Sequence, residues 1–262
     1  MGIPGAAIPL LIPGVVEPEA TAESVARSIR LNNDDDVYFS RTITSGGNRK
    51  KWSFSAWVKR TGNTYDYLFA QGPSGSTSGN WFLAGFQPTG SGIGDDVLWI
   101  GQQTGGGYNL QYATNRRFRD PHAWFHILIA VDTTQSTASN RLRLYINGTE
   151  ETSFSTETDP SQDLDTWVGA TSTCPVMYVG RQPDGHALDG YIANVHFIDG
   201  TQITPSDVTK TDSTTGQLIP AEFDGTYGTN GTHLKFEDIT GNTAATLGKD
   251  SSGQNNHFTP HN

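Results

Sequence analysis

Four short segments in which apolar residues occupy alternate positions constrain the fold of this chain more than any other feature. They cover residues 53–58, 123–132, 142–148 and 191–200, and three of them close on Gly or Asp. An extended strand places alternate side chains on opposite faces, so this period of two is typical of half-buried strands that end in turns. Because no comparable helical periodicity accompanies it, we expect an all-β protein built as a two-sheet sandwich.

The rest of the chain supplies further short strands between loops rich in Gly and Ser. Residues 27–39 are predicted to form an opening hairpin around a turn at 32–36, and residues 204–207 a short helical turn that begins at a proline. We expect one domain at residues 25–262, which ends in a turn-rich loop at 249–262. The other predicted strands cover residues 65–69, 81–86, 97–101, 108–112, 177–181 and 233–236.

Composition and charge exclude several classes of protein. Hydrophobic residues make up 34% and aromatic residues 10% of the chain, enough for a substantial core. The net charge of −10 gives no general attraction for nucleic acid or anionic membranes. Cys174 stands alone, which excludes an internal disulfide and favours folding in a reducing cytoplasm. No apolar run approaches the roughly 18 residues that a membrane-spanning helix needs.

The N-terminal residues 1–24 are predicted to form an extended arm followed by an acidic linker. A signal peptide is disfavoured because no Lys or Arg precedes the apolar stretch, and Ala6 stands where myristoylation requires Ser or Thr. An exposed apolar arm favours docking on a neighbouring subunit, with a disordered leader as the alternative. The residues proposed for this assembly role are Ile3, Pro4, Ile8, Pro9, Leu10, Leu11, Ile12 and Pro13.

The order of the motifs carries a family resemblance over residues 27–207. The series 53–58, 124–132, 144–148, 179–181 and 188–192 resembles the laminin-G-like, or pentraxin-like, branch of the concanavalin A-like lectin/glucanase superfamily. That resemblance implies an antiparallel jelly-roll β-sandwich. The continuation at 197–207, 225–236 and 247–253 is similar to a version found in structural proteins of tailed phages, which implies a place on a virus particle.

Several residues in these segments are expected to have structural roles. Alternation along their strands predicts that Trp57 and Trp124 point inward as core anchors. His126 lies in an apolar strand without a second histidine at a metal-like interval, so it is interpreted as a satisfied core or interface histidine. Asn147–Gly148 is the strongest short hairpin signal in the chain.

Catalysis is disfavoured on the pattern of the acidic residues. A retaining glycosidase needs two carboxyl groups about 5 Å apart, and in this superfamily a Glu-x-Asp-x-Glu type of strand usually supplies them. Asp163 and Asp165 alternate but lie in a loop-like segment without glutamates, and Glu150 and Glu151 are adjacent and face opposite ways on a strand. We therefore expect a protein that is not an enzyme, with no catalytic residues.

Sugar binding and calcium binding are the remaining site hypotheses. A lectin site combines aromatic faces with polar side chains, and the segment from 81 to 119 supplies both. Its candidate residues are Trp81, Trp99, Tyr108, Tyr112, Asn115 and Arg117. No cofactor is expected apart from calcium, whose candidate ligands lie in acidic clusters that are otherwise solvated turns. Those clusters are Asp34–Asp36, Asp95–Asp96 and Asp184 near Asp189.

The sequence thus favours a non-catalytic virion protein of a tailed phage, in head decoration, a head fibre or a tail-associated position. Its expected partners are other virion proteins, further copies of itself and host surface polysaccharide, but neither nucleic acid nor a membrane. Synthesis would take place in the host cytoplasm. The alternative is a free glycan-binding lectin that belongs to no particle.

Overall fold

The structure is a computed structural model that describes residues 20–62, 64–76 and 79–262. Two short 3-10 helices, Ala138–Asn140 and Pro205–Asp207, accompany the strands of this part of the chain. None of its helices is long and apolar enough to cross a lipid bilayer. The strands are β1 (Ile29–Leu31), β2 (Tyr38–Thr42), β3 (Lys51–Arg60), β4 (Asp66–Gly72), β5 (Asn80–Phe86), β6 (Val97–Thr104), β7 (Gly107–Arg117), β8 (Phe125–Asp132), β9 (Leu142–Ile146), β10 (Thr149–Glu151), β11 (Phe154–Thr158), β12 (Val176–Val179), β13 (Arg181–Gln182), β14 (Gly185–Ala187), β15 (Gly190–Asp199), β16 (Thr209–Thr211), β17 (Leu218–Pro220), β18 (Thr232–Leu234) and β19 (Thr259–His261).

Most of these strands form two antiparallel sheets. One sheet has the order β1-β15-β3-β8-β9-β10, with β18 also paired to β15. The other has the order β11-β7-β6-β5-β4-β12-β2-β19, and both orders join strands that are far apart in sequence. The predicted all-β, two-sheet antiparallel jelly-roll sandwich is confirmed.

The core lies between the two sheets and is rich in aromatic side chains. Trp52, Phe54, Phe69, Phe82 and Phe197 pack there with ring centroids 4.5 to 6.3 Å apart. Each of these side chains is at most 2% exposed. Large planar side chains remove much apolar surface from water when they are buried, so this cluster is a main source of fold stability.

The predicted opening hairpin is wrong. β1 pairs with β15 in one sheet, whereas β2 pairs with β12 and β19 in the other. The turn at residues 32–36 therefore carries the chain from one layer of the sandwich to the other. Two short strands around an Asn/Asp-rich turn resemble a hairpin locally, but each of them pairs with strands that are far away in the sequence.

The predicted inward orientation of Trp57 and Trp124 is also wrong. Along β3 the positions that fill the core are Trp52, Phe54, Ala56 and Val58, so Trp57 lies on the opposite face. Trp124 precedes β8 and is 38% exposed. Alternate residues of the strand do face opposite sides, as predicted. Which of the two sides faces the core depends on where the other sheet packs.

Other local predictions are confirmed. Asn147 and Gly148 both have positive φ angles, 50° and 78°, and join β9 to β10 as a tight turn. His126 is a core histidine as predicted, but only its Nε2 is satisfied, 2.8 Å from the Ser55 hydroxyl, whereas its buried Nδ1 makes no hydrogen bond. The turn at 204–207 is the second 3-10 helix. The C-terminal segment departs from expectation, because β19 within it pairs with β2.

The proposed assembly residues between Ile3 and Pro13 lie outside the described residues. The segment that follows them runs beside residues 220–222. Ala22 bridges Ala221, and the Glu23 amide donates to the Pro220 carbonyl at 3.0 Å. Glu23, which the sequence placed in the acidic linker, is only 8% exposed.

Candidate functional site

A pocket of about 310 Å³ lies on the outer face of the eight-stranded sheet and is called the aromatic pocket here. Three of the six predicted sugar-binding residues, Trp81, Trp99 and Tyr108, come together in it. Their ring centroids are 5.8 to 6.1 Å apart. The described residues that line the pocket are Tyr65, Tyr67, Trp81, Leu83, Gln87, Ser91, Ile93, Trp99, Gln103, Tyr108 and Gln182.

Two tryptophans from neighbouring strands form the floor of the aromatic pocket. Trp81 in β5 and Trp99 in β6 alternate with core residues such as Phe82, so they project from the outer face. The Trp99 ring lies directly over Gly101, where a Cβ atom would overlap its six-membered ring. Glycine at this position therefore allows the indole to lie flat on the sheet and reach Trp81. With 5% and 2% exposure, the two tryptophans present little free surface.

A β-bulge places Tyr108 on this face. Leu110 pairs with Gln102 and Tyr108 with Gln103, so Asn109 is an extra residue in β7. Strict alternation would put Tyr108 on the same side as Leu110, which lies in the core. The bulge reverses this, and Tyr108 stands edge-on over both tryptophans with 45% of its side chain exposed. Tyr108 is therefore the wall of the pocket that a ligand can reach.

Unsatisfied polar atoms lie among these rings. Both amide atoms of Gln87 and the Trp99 Nε1 are buried and make no hydrogen bond. The Tyr67 phenol is close to the Gln87 amide, but its geometry does not meet that of a hydrogen bond. Burial raises the pKa of Tyr67 to about 12, so the phenol stays protonated at neutral pH. Buried polar groups are normally paired, and unpaired ones mark positions where a ligand or water can bind.

The other three predicted sugar-binding residues are engaged elsewhere. Tyr112 is 2% exposed, lies in the core and donates a short hydrogen bond to Asp159. The Asn115 amide donates to the Ser153 hydroxyl at 2.9 Å. Arg117 pairs with Asp95 at 3.2 Å. The sequence grouped these side chains by proximity along the chain, whereas the bulge and the sandwich separate them from the aromatic pocket.

The acidic clusters proposed for calcium are largely occupied by cationic or hydroxyl partners. Asp36 pairs with Arg181 at 2.7 Å, and Asp96 with Arg119 at 3.1 Å. Asp189 accepts a hydrogen bond from the Thr61 hydroxyl at 3.2 Å. Calcium requires six to eight oxygen ligands, so these carboxylates would first have to leave their partners. Calcium binding stays an untested prediction.

Three of the four acidic residues weighed for catalysis also have basic partners. Asp163 pairs with Lys50 at 3.2 Å. Glu151 pairs with Arg116 at 2.8 Å, and the neighbouring Glu150 lies 3.7 Å from Arg143. None of these acids is among the described residues that line the aromatic pocket.

Two features escaped the sequence interpretation. A groove of about 420 Å³ on the opposite sheet, the Trp124 groove, is lined by Arg27, Trp57, Trp124, Ala193 and Pro220 among others. A buried cluster joins Glu23, His196 and His233, whose ligating atoms all lie within 4.8 Å of one another. These residues are far apart in sequence, and no local spacing signals such a cluster.

Comparison with known families identifies the type of fold. A laminin-G-type family profile, described as concanavalin A-like lectin/glucanases superfamily, matches residues 31–209. That match covers more than half of the chain and most strands of both sheets. No curated protein matches the sequence significantly.

Solved structures with the same fold are distant in sequence. A provisionally assigned carbohydrate binding protein from Bacteroides ovatus aligns with a TM-score of 0.52 and 14% identity, over 93% of this chain and 59% of that one. A heptameric SAP-like pentraxin from Limulus polyphemus aligns with a TM-score of 0.49 and 12% identity, over 78% and 95%. Tailspike protein 2 of the Escherichia coli O157:H7 bacteriophage CAB120 aligns at 0.46 and 13%, over 72% and 25%. At these identities the likeness shows the fold alone.

Proposed function

The chain belongs to the concanavalin A-like lectin/glucanases superfamily, and from that premise we propose that it is a non-catalytic glycan-binding protein whose ligand enters the aromatic pocket. The observation that carries the proposal is the combination found there. An exposed tyrosine, Tyr108, stands over two packed tryptophans beside the half-buried amide of Gln103. Sugars present C–H faces to aromatic rings and hydroxyl groups to amides, and this pocket offers both kinds of surface.

The lining of the aromatic pocket indicates the class of glycan. All of its described lining side chains are aromatic, aliphatic, amide or hydroxyl groups, and none carries a charge at neutral pH. The protein as a whole has a net charge of −10. An anionic sugar would therefore meet no compensating cation in the pocket and would be repelled at longer range. We propose neutral hexose- or pentose-containing chains as ligands.

The same lining supports binding without hydrolysis. Glycoside hydrolysis by a retaining mechanism needs a nucleophilic carboxylate and a second carboxyl group about 5 Å away. Around the aromatic pocket, the polar groups that a sugar would meet are the amides of Gln103 and Gln182, the Ser91 hydroxyl and the Tyr108 phenol. Amides and hydroxyls orient a sugar by hydrogen bonds but supply no carboxyl group for acid catalysis.

A glycan array followed by fluorescence titration tests the proposal. We expect binding to neutral oligosaccharides and a large loss of affinity in Tyr108→Ala, which should fold normally because the side chain it removes is exposed. Tyr191→Ala, on the opposite sheet beside Trp124, is the matched control and should bind as the unmodified chain does. Loss of binding in Tyr191→Ala alone would move the site to the Trp124 groove. Binding only to uronate- or sialate-containing glycans would refute the proposed ligand class.

We further propose that this glycan-binding domain is a component of a tailed-phage virion, in contact with other virion proteins and with copies of itself. The likeness of residues 197–253 to phage structural proteins and the apolar, proline-punctuated segment 3–13 support this role. Host surface polysaccharide would then be the ligand of the aromatic pocket. A free lectin without a particle is the competing interpretation.

Light scattering after size-exclusion chromatography tests the assembly role. A chain that lacks residues 1–18 keeps the Ala20 carbonyl that accepts a hydrogen bond from Lys210 and the Thr21 carbonyl that accepts one from the Glu222 amide. We expect the full chain to form a defined oligomer that the shortened chain no longer forms, with identical glycan affinity per chain. Identical masses for both chains would refute assembly through this segment and leave the lectin proposal standing.

A further inference from the structure

We propose that Glu23, His196 and His233 form a binding site for Zn²⁺. Glu23 comes from the segment that precedes β1, His196 from β15 and His233 from β18. Each offers one ligand atom, and all three atoms lie within 4.8 Å of one another. The cluster lies on the outer face of the seven-stranded sheet, so the proposal is independent of glycan binding in the aromatic pocket.

The donor set suits zinc. Two imidazoles and one carboxylate are a common zinc-binding combination, with the fourth position open to water. The Glu23 Oε1 lies 3.4 Å from the His233 Nε2, and the Glu23 Oε2 lies 3.9 Å from the His196 Nε2. Ligand atoms bound about 2.0–2.1 Å from a tetrahedral ion are separated by about 3.4 Å. The separation of Glu23 Oε1 from His233 Nε2 therefore already fits such an ion, whereas that of Glu23 Oε2 from His196 Nε2 must shorten.

His196 supplies the strongest indication of a missing cation. Its side chain is fully buried, and its Nε2 has no hydrogen-bond partner. Its Nδ1 lies 2.8 Å from the Tyr227 hydroxyl, the kind of contact that orients a metal-binding histidine. When Nδ1 donates this bond, the Nε2 lone pair is directed towards the Glu23 carboxylate. In that tautomer a cation between the two groups would relieve their repulsion, and the Lys235 ammonium, 2.9 Å from Glu23 Oε1, supplies part of that charge.

The surroundings favour a cation and provide an entry path. A pocket of about 290 Å³ that also borders on Glu222 leads to Glu23 and His233. Asp250 adds a further carboxylate, which accepts a hydrogen bond from the His233 amide at 2.8 Å. An ion can therefore enter from solvent along this pocket.

Binding requires three rearrangements. The Lys235 ammonium, 2.9 Å from Glu23 Oε1, must withdraw, and its 29% exposed side chain can extend into the same pocket. The imidazoles of His196 and His233 are stacked with centroids 4.0 Å apart and planes at 21°. The lone pair of an imidazole nitrogen lies in the plane of its ring, so two nearly parallel rings do not direct their lone pairs at one point. The two rings must therefore tilt until both lone pairs point to the same ion. The Asn194 amide must also release both residues, since its oxygen lies 2.6 Å from the His233 Nε2 and its nitrogen donates to the Glu23 Oε2 at 2.9 Å.

A bound ion would tie the N-terminal segment to the sandwich. Glu23 would be joined through the metal to two adjacent strands, β15 and β18. A ligand that binds only the folded state stabilises it, so zinc should raise the melting temperature. It should also protect the segment before β1 from proteolysis.

Isothermal titration of the full-length, untagged, chelator-treated protein with Zn²⁺ tests the site. We expect one ion per chain, a higher melting temperature, and no stoichiometric binding in His196→Phe, which retains a ring of similar shape. Tyr227→Phe should weaken binding by roughly tenfold to a hundredfold, because it removes the contact that orients His196. The matched control is His122→Phe, an exposed histidine with an 88% accessible side chain, which should not change the affinity.

Lys235→Met provides a second test of the zinc site in case His196→Phe does not fold. Removal of the competing ammonium at the rim should increase zinc affinity, whereas a lysine with a purely structural role would leave zinc binding unaffected. Co²⁺ should bind with the visible absorption bands of a tetrahedral ion. Absence of stoichiometric Zn²⁺ binding by the unmodified chain, or equal binding by His196→Phe, would overturn the proposal.

Discussion

Asp66→Asn should destabilise the fold because it leaves a buried guanidinium without its main counter-charge. Arg60 in β3 and Asp66 in β4 belong to different sheets, and their Nε and Oδ2 atoms lie 2.8 Å apart. Their side chains are 3% and 0% exposed. Arg60 also donates to the Phe118 carbonyl at 2.9 Å, so this ion pair fastens one end of the sandwich.

The contacts of Arg60 set the expected magnitude. Removing one partner of a buried ion pair costs about 3–5 kcal/mol. Asp96 remains 3.8 Å from the guanidinium and the Phe86 ring 4.9 Å from it, so we expect the lower end of that range. Burial nevertheless raises the pKa of Asp66, despite the opposing charge of Arg60. Desolvation therefore outweighs attraction, and removal of both charges should cost much less than removal of one.

Urea unfolding monitored by tryptophan fluorescence measures these differences. Asp66→Asn should lower the free energy of unfolding by about 3 kcal/mol. The double variant Arg60→Met/Asp66→Asn should recover most of that loss, because it also removes the buried guanidinium that Asp66→Asn leaves unpaired. Both variants keep an amide oxygen that can accept the 2.9 Å hydrogen bond from the Asp189 backbone N–H. A loss below about 1 kcal/mol in Asp66→Asn, or a double variant as unstable as the single one, would refute the reasoning.

Three further predictions concern the site, pH and the single thiol. Gly101→Ala should displace the Trp99 ring and shift tryptophan fluorescence; an unchanged spectrum would contradict the packing. Burial lowers the pKa of His126 from 6.5 to about 3. Between these pH values the unfolded chain binds more protons at this residue than the folded chain does. The contribution of His126 to the free energy of unfolding therefore falls as pH falls, by about 1.4 kcal/mol per pH unit. His126→Gln should reduce that slope in denaturation curves, whereas Ser55→Ala should lower stability without changing it. Cys174 is fully buried and its thiol pKa is raised to about 12, so thiol reagents should modify it only after unfolding, and rapid native labelling would be inconsistent with its burial.

Local prediction succeeded where neighbouring residues decide the structure. The strands predicted at 65–69, 81–86, 97–101 and 108–112 correspond to β4, β5, β6 and β7. Alternating apolar residues and turn residues act over a few positions, so their effect can be interpreted without knowledge of the partner strand. The hairpin predicted at 27–39 failed because each of its strands pairs with a segment more than a hundred residues away.

The candidate glycan site was predicted in part. Trp81, Trp99 and Tyr108 were identified by residue type and meet in one pocket. Tyr112 was included because of its proximity along the chain, but its side chain lies in the core and is 2% exposed. Gln87 was not foreseen, since a single glutamine in a loop carries no signal until its burial is known.

By itself, the sequence determined that this protein is an all-β member of a lectin-like family. Strand periodicity and turn residues act over a few neighbouring positions, and the order of the motifs is visible along the chain without any knowledge of which strands pair. Only the tertiary structure decided which aromatic rings face outward and which polar groups meet. A bulge exchanges the two faces of β7, and Glu23 contacts Asn194 across 171 positions. Such pairings depend on how the two sheets are assembled, and no spacing along the chain specifies them.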